Sequence, residues 1–232
     1  MTLAKHQTKT VITALSIMIL TISMITPNLA ENAYATHCTS HCYAHAYRTT
    51  YNDGNKVTII VPSISSPCTS FAVTPNWVVF NSAATDWVEV GIGKGALGSC
   101  YASETIYTYG KINGVGGWGT HGTATVGSSI TFSADDSTTD QTWVIKQGTS
   151  TLRTFSSTTY STGYGDTGVE ITADSNTIAS TDISNISYYS GGWNLWLGSV
   201  SFPTPSTGMW RVVCTSQNYY HMHAGTGSTV IC

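Results

Sequence analysis

Charge is scarce in this chain, and glutamate especially so. Asp and Glu together number 12 and Lys and Arg 9 among 232 residues, for a formal net charge of −3. No basic cluster occurs, and without that electrostatic footprint a nucleic-acid partner is excluded. No apolar run after residue 35 is long enough to span a bilayer, so no stable membrane span is expected there. Sustained helical periodicity is missing from the same region. Disorder is excluded by the opposite observation: aromatic and β-branched residues are plentiful enough to bury a core. Dense Ser, Thr, Gly and Tyr take the place of charge at the surface. Such a surface tolerates acid, because few paired charges are lost on protonation.

The N-terminal residues have the pattern of a secretory signal. Lys5 and Lys9 precede the apolar run "VITALSIMILTISMI", Pro27 breaks it, and Ala33-Tyr34-Ala35 supplies a small-x-small cleavage pattern. The expected organisation is a signal over 1–35, a disulfide-tied extension over 36–66 and a β-sandwich domain over 67–232. The expected location is secreted or extracellular, including the cell surface, and the expected state is a monomer. All six cysteines (Cys38, Cys42, Cys68, Cys100, Cys214 and Cys232) follow the signal, which favours disulfides. Cys38 with Cys42 and Cys214 with Cys232 would close local loops; the full connectivity stays open.

Short alternating runs recur between Gly, Ser, Asn, Asp and Pro: "KVTIIVP", "NWVVF", "DWVEVGI", "ETIYTYGKI", "SSITFSA", "QTWVIKQG", "GVEITA", "ISNISYY", "NLWLGSVSF" and "MWRVVC". Turn signals such as Asn113-Gly114, Asp53-Gly54 and Gly191-Gly192 punctuate them. Ten or so short strands imply an all-β fold of two packed antiparallel sheets.

Only three glutamates follow residue 35: Glu89, Glu104 and Glu170. Alternate strand residues point to opposite faces. In "DWVEVGI", Val88, Val90 and Ile92 form the core face, and Trp87, Glu89 and Gly91 the other. In "GVEITA", Val169, Ile171 and Ala173 face the core, and Gly168, Glu170 and Thr172 face away. Each glutamate therefore stands on a non-core, solvent-open face beside a glycine, where another chain can approach closely. An outward glutamate is ordinarily just the polar half of a strand. Here the scarcity of glutamate and the aromatic wall offered by Trp87, Tyr107 and Tyr109 point to paired carboxyls. Two carboxyls brought together repel, so one keeps its proton at a raised pKa and the pair can supply one acid and one base.

The motif order "FAVTPNWVVF", "DWVEVGI", "CYASETIYTYG", "ATVGSSITFSA", "QTWVIKQG", "GVEITADS" and "TDISNISYYS" resembles the neprosin and eqolisin glutamic peptidases, over about Phe71 to Phe202. The resemblance implies a concanavalin A-like jelly-roll sandwich and a secreted, acid-active endopeptidase that takes a peptide or protein substrate and needs no metal or other cofactor. It places Glu89 on the first catalytic position, glutamine in eqolisins and glutamate in neprosins, and Glu170 on the second. It matches Tyr107 and Tyr109 to the aromatic strand lining the groove, and these with Trp87 of the aromatic wall are the expected substrate-binding residues. Gly168-Val169 departs from the paired glycines of neprosins, and Glu170-Ile171 from the Glu-Trp of eqolisins.

Two rival classes share this sandwich. A glycosidase could use the same two carboxyls, with Trp87, Trp193 and Trp196 stacking on sugar rings. A non-catalytic carbohydrate-binding or adhesive module is the other, separable by the placement of the two carboxyls. "HCTSHCYAH" has metal-ligand spacing at His37, Cys38, His41, Cys42 and His45. In an oxidising compartment those cysteines are expected to pair, leaving the histidines on a surface segment. His221-Met222-His223 is read as strand alternation rather than a metal site.

Overall fold

The alternation read along the chain is what the computed structural model uses to build two sheets. It describes residues 38–136, 141–216, 219–227 and 229, which lie within one compact unit, Ala33–Cys232. The signal read over 1–35 lies outside the described residues.

One sheet has seven strands in the order β15 (Val200–Ser201), β1 (Cys42–Arg48), β11 (Tyr164–Ile171), β4 (Phe71–Val79), β5 (Trp87–Leu97), β6 (Ser99–Ile112) and β7 (Val115–Thr123). The other runs β10 (Ser150–Ser156), β9 (Thr142–Gln147), β8 (Ser129–Asp135), β2 (Gly54–Ile60), β13 (Thr181–Tyr189), β17 (Tyr219–Thr226) and β16 (Met209–Ser216), with β14 (Trp193–Leu195) paired to β13. A small ladder joins β3 (Ile64–Ser65) to β12 (Thr177–Ile178). All pairings are antiparallel. Among the described residues no helix is long and apolar enough to cross a membrane.

The core faces are those the alternation assigned, except that Ala173 lies past the end of β11 and is half-buried. Val88, Val90, Ile92, Val169 and Ile171 are fully buried in one cluster with Val57, Ile59, Phe132, Trp143 and Ile145 of the opposite sheet. Each such side chain contributes about 1.5–3 kcal/mol by leaving water. A buried amide pair crosses the sandwich: Asn55 Nδ2 of β2 donates to Asn76 Oδ1 of β4 at 2.7 Å and to the Asp166 carbonyl of β11 at 3.2 Å. Asn76 Nδ2 returns a bond to the Asn55 carbonyl at 3.2 Å. These bonds favour one lateral register of the sheets, because a slip would strand both buried amide N–H groups, whereas Asn55 Oδ1 is already without a partner.

Segment 36–66 differs from its expected role as an extension. Its residues form β1 and β2, which sit inside the two sheets and pair with β11 and with β8 and β13. Among the described residues only the loop closed by the Cys38–Cys42 disulfide precedes them. A second disulfide joins Cys68 to Cys100. Cys214 is also disulfide-bonded, while Cys232, its expected partner, lies outside the described residues. Among the described residues no cysteine is free.

Candidate active-site groove

The outer face of the seven-stranded sheet carries the site, and strand register assembles it. Across β4, Trp77 is paired with Glu89 of β5 on one side and with Asp166 of β11 on the other. Glu170 stands four residues, two pleat repeats, further along β11, opposite Val73 of β4 and Tyr43 of β1. By parity, His41, Tyr43, His45 and Tyr47 share the face of Asp166 and Glu170. These groups, with Phe71, Trp87, Tyr109, Trp118 and Tyr164, line one cavity of 680 Å³.

The glycines beside each glutamate serve strand packing within the sheet. A Cβ on Gly91 would lie 2.3 Å from the Thr74 carbonyl oxygen of β4, and one on Gly168 would lie 2.3 Å from the Ala44 carbonyl oxygen of β1. The chain that approaches closely is thus the neighbouring strand.

Both carboxyls point away from the sandwich interior, as parity required, yet they are not solvent-open. Glu89 is 6% and Glu170 5% exposed. Aromatic side chains raised on the flanking strands wall them in, which alternation along one strand cannot reveal. Glu89 is held by neutral donors. The Tyr107 hydroxyl donates to Oε1 at 2.5 Å, the Trp87 indole N–H donates to Oε2 at 3.1 Å, and the Trp77 indole adds a third bond. Burial, then the charge of Glu170, raises the Glu89 carboxyl from its ordinary 4.5 to about 7 against the pull of these donors.

Glu170 has different company. His41 Nδ1 donates to its Oε1, and the Tyr43 phenol hydrogen-bonds it. The bond to Glu170 is the main reason the His41 imidazole is raised above its ordinary value, with burial opposing and the charges of Glu170 and Glu89 assisting. Burial, reinforced by both glutamates, also raises the Tyr43 phenol, so it remains a donor. Among the described residues no direct hydrogen bond joins Glu89 to Glu170; they communicate through charge across β4.

A second histidine–carboxylate pair completes the floor. His45 Nδ1 lies 2.9 Å from both oxygens of Asp166. Burial raises the Asp166 carboxyl, with the charge and hydrogen bond of His45 offsetting part of this. On His45 burial acts downward, and Asp166 outweighs it to leave the imidazole raised.

The expected substrate-binding residues divide. Trp87 and Tyr109 line the cavity, with ring centroids 5.8 Å apart, and Trp118 stacks on Tyr109 at 4.5 Å. Tyr107 is fully buried beneath them and does not line the cavity; it positions Glu89 instead. Among the rival's stacking residues, Trp196 is fully buried and Trp193 lies outside this groove, so neither can offer a ring to a sugar here. The third glutamate, Glu104, is structural, accepting the Ile64 N–H at 3.1 Å and pairing with Lys94 at 3.7 Å.

Sequence reasoning missed Trp77, Tyr43, His45, Asp166 and Trp118 as groove residues, and placed His41 on a surface segment. The signal for three of them was present. "HCYAHAY" alternates aromatic or imidazole side chains with Cys42, Ala44 and Ala46, the mark of a strand with one small, buried face. No comparable pattern marks Trp118, in the glycine-rich β7.

Metal-like clusters resolve into other bonds. Cys38 and Cys42 are consumed by their disulfide. Cys214, His221 and His223 bring ligand atoms within 4.8 Å of one another, but the Cys214 sulfur is disulfide-bonded and His221 Nε2 bonds Asp182 at 2.6 Å. A disulfide sulfur is not the thiolate a metal requires.

No protein family matches the chain by sequence profile, and no curated protein matches it by sequence. Solved structures do. A scytalido-glutamic peptidase bound to a transition-state analogue aligns over 82% of this chain and 100% of its own, with TM-score 0.55 and 13% identity. SCP-B, a member of the eqolisin family in complex with the tripeptide Ala-Ile-His, aligns over 82% of this chain and 98% of its own, with TM-score 0.55 and 12% identity. The fold of this chain is therefore the double-sheet sandwich seen in the eqolisin peptidases, a distant structural likeness.

Proposed function

We propose that this chain is a secreted glutamic-type endopeptidase acting on peptide or protein substrates through Glu89 and Glu170. One observation carries the reading: two carboxyls line a single aromatic groove, and one of them is held protonated up to about pH 7 by burial and by the other's charge. That division supplies the acid and base that hydrolysis of an amide needs. Glu170 takes a proton from a water as it attacks the peptide carbonyl. Protonated Glu89 donates to the oxygen on which negative charge develops, then helps return a proton to the leaving amine. Trp77 and Tyr107 keep the Glu89 carboxyl in place, and His41 and Tyr43 orient Glu170. The Trp87–Tyr109–Trp118 wall offers apolar surface to substrate side chains. Disulfides and a low-charge surface suit an oxidising, acidic surrounding.

The aromatic wall also suits a sugar, which keeps a glycosidase as the second reading. One assay separates the two. The purified chain is incubated at acidic pH with an unfolded protein and, in parallel, with soluble β-glucans, using the Glu170→Gln chain as control. Peptide cleavage that disappears with Glu170→Gln supports the peptidase. Glucan cleavage alone transfers the same carboxyls to the glycosidase, and no hydrolysis of either leaves a binding module.

A further inference from the structure

Away from the groove, a second pocket of 540 Å³ opens where β1 ends and the chain passes from β14 to β15. Its lining includes Arg48, Tyr188, Trp193, Asn194 and Leu197, and it shares no residue with the groove. Arg48 has the parity of Ala44 and Ala46, so its side chain is directed between the sheets, and it is 8% exposed. Its guanidinium stacks on the Tyr188 ring at 3.8 Å, donates to Thr50 Oγ1 at 2.7 Å and reaches the Gly198 carbonyl at 3.5 Å. Its Nε is buried without a hydrogen-bond partner, and among the described residues no carboxylate pairs with it.

A buried cation without a counter-charge is costly, and a ring face and one hydroxyl return only part of what water gave. Arg211, half-buried and also with an unpartnered Nε, is held by the carbonyls of His45 and Pro203 and lines neither cavity. Arg48 differs because its pocket gives access to it. The surroundings specify what enters. Leu197 is 68% exposed and Leu195 36%, and Tyr188 and Trp193 present aromatic surface. Lys56 stacks on the Trp193 ring at 4.4 Å and adds positive charge beside the wall.

We infer that this pocket binds a carboxylate with an apolar body, its head group on the Arg48 guanidinium and its body against Trp193 and Leu197. A planar fork of donors matches a carboxylate better than a point charge would. Burial acting on Arg48, which lowers it from its ordinary value, is relieved by such a partner. The site stands independently of the reading of Glu89 and Glu170.

The test is a titration of the folded chain, followed by NMR of the tryptophan indole resonances, with hexanoate, its neutral isostere hexanamide, and sulfate. Hexanoate should saturate, shift the Trp193 signal and leave that of Trp87 unmoved, with hexanamide about tenfold weaker or worse. Arg48→Lys keeps the charge but loses the fork, and should weaken hexanoate by about tenfold. If that variant fails to fold, Leu197→Ala, on the exposed rim, keeps the Trp193 signal as readout and should weaken hexanoate with the melting temperature retained. Equal binding of acid and amide, a Trp87 response in place of Trp193, or undiminished affinity in the folded variants would overturn the assignment. Sulfate binding tighter than hexanoate would overturn the apolar half of it.

Discussion

Glu89 and Glu170 stand on the same sheet face, equally buried, and differ in what holds them. Glu89 sits among indoles and a phenol, groups that donate without carrying charge. Glu170 sits beside an imidazole that becomes cationic in acid. Neutral donors do not cancel the cost of burying a charge, so Glu89 is raised; Glu170 instead has an imidazole to orient it. The two strands thus give one residue type two chemistries, through neighbours supplied by β1, β4 and β6.

Replacing the base should have the largest effect. Glu170→Gln is expected to lower proteolysis by about 10²–10⁴-fold while the fold is retained, measured as initial rates on an unfolded protein substrate. Glu89→Gln should cost less, because an amide still donates to a developing oxyanion. It should also move the basic limb of the pH–rate profile upward, since the amide donates at every pH. Loss of activity equal to that of Glu170→Gln, with an unmoved limb, would break the distinction between the two residues.

Stability sharpens the same contrast. The folded-state value of Glu89 lies above its ordinary 4.5, at about 7, so the folded chain binds more protons than the unfolded chain between those limits. Stability therefore falls as pH rises through that window, by about 3 kcal/mol in all, and Glu89→Gln should flatten that slope in urea unfolding at a series of pH values. Removing the cationic neighbour by His41→Gln should have a smaller effect, a few-fold loss in initial rate, because half of that side chain is exposed. The smallest expected change is from Tyr107→Phe. It deletes a hydrogen bond that draws the Glu89 carboxyl down, so the basic limb should rise slightly while stability drops by about 1 kcal/mol.

Parity along one strand made much of this legible. It assigned Val88, Val90 and Ile92 to the core and both glutamates to the opposite face, and Asn113-Gly114 marked the β6–β7 turn, where both residues have positive φ. Parity is a property of a single strand, however, and burial of an outward residue depends on its lateral neighbours. The order β1-β11-β4-β5-β6 brings Tyr43, Trp77 and Tyr107 beside the glutamates, and that order is set by long-range pairing that alternation does not encode. For the same reason "HCYAHAY" read as a tethered extension: its disulfide loop was visible in sequence, whereas its seat beside β11 was not.

The most direct measurement is the titration of Glu89 itself, by carbon NMR of its side-chain carboxyl in the folded chain and in the Glu170→Gln variant. The expected value is about 7, falling in the variant but staying above 4.5, because burial remains when the neighbouring charge is gone. A Glu89 that titrates near 4.5 in the folded chain, or one indifferent to Glu170, would contradict the division into acid and base.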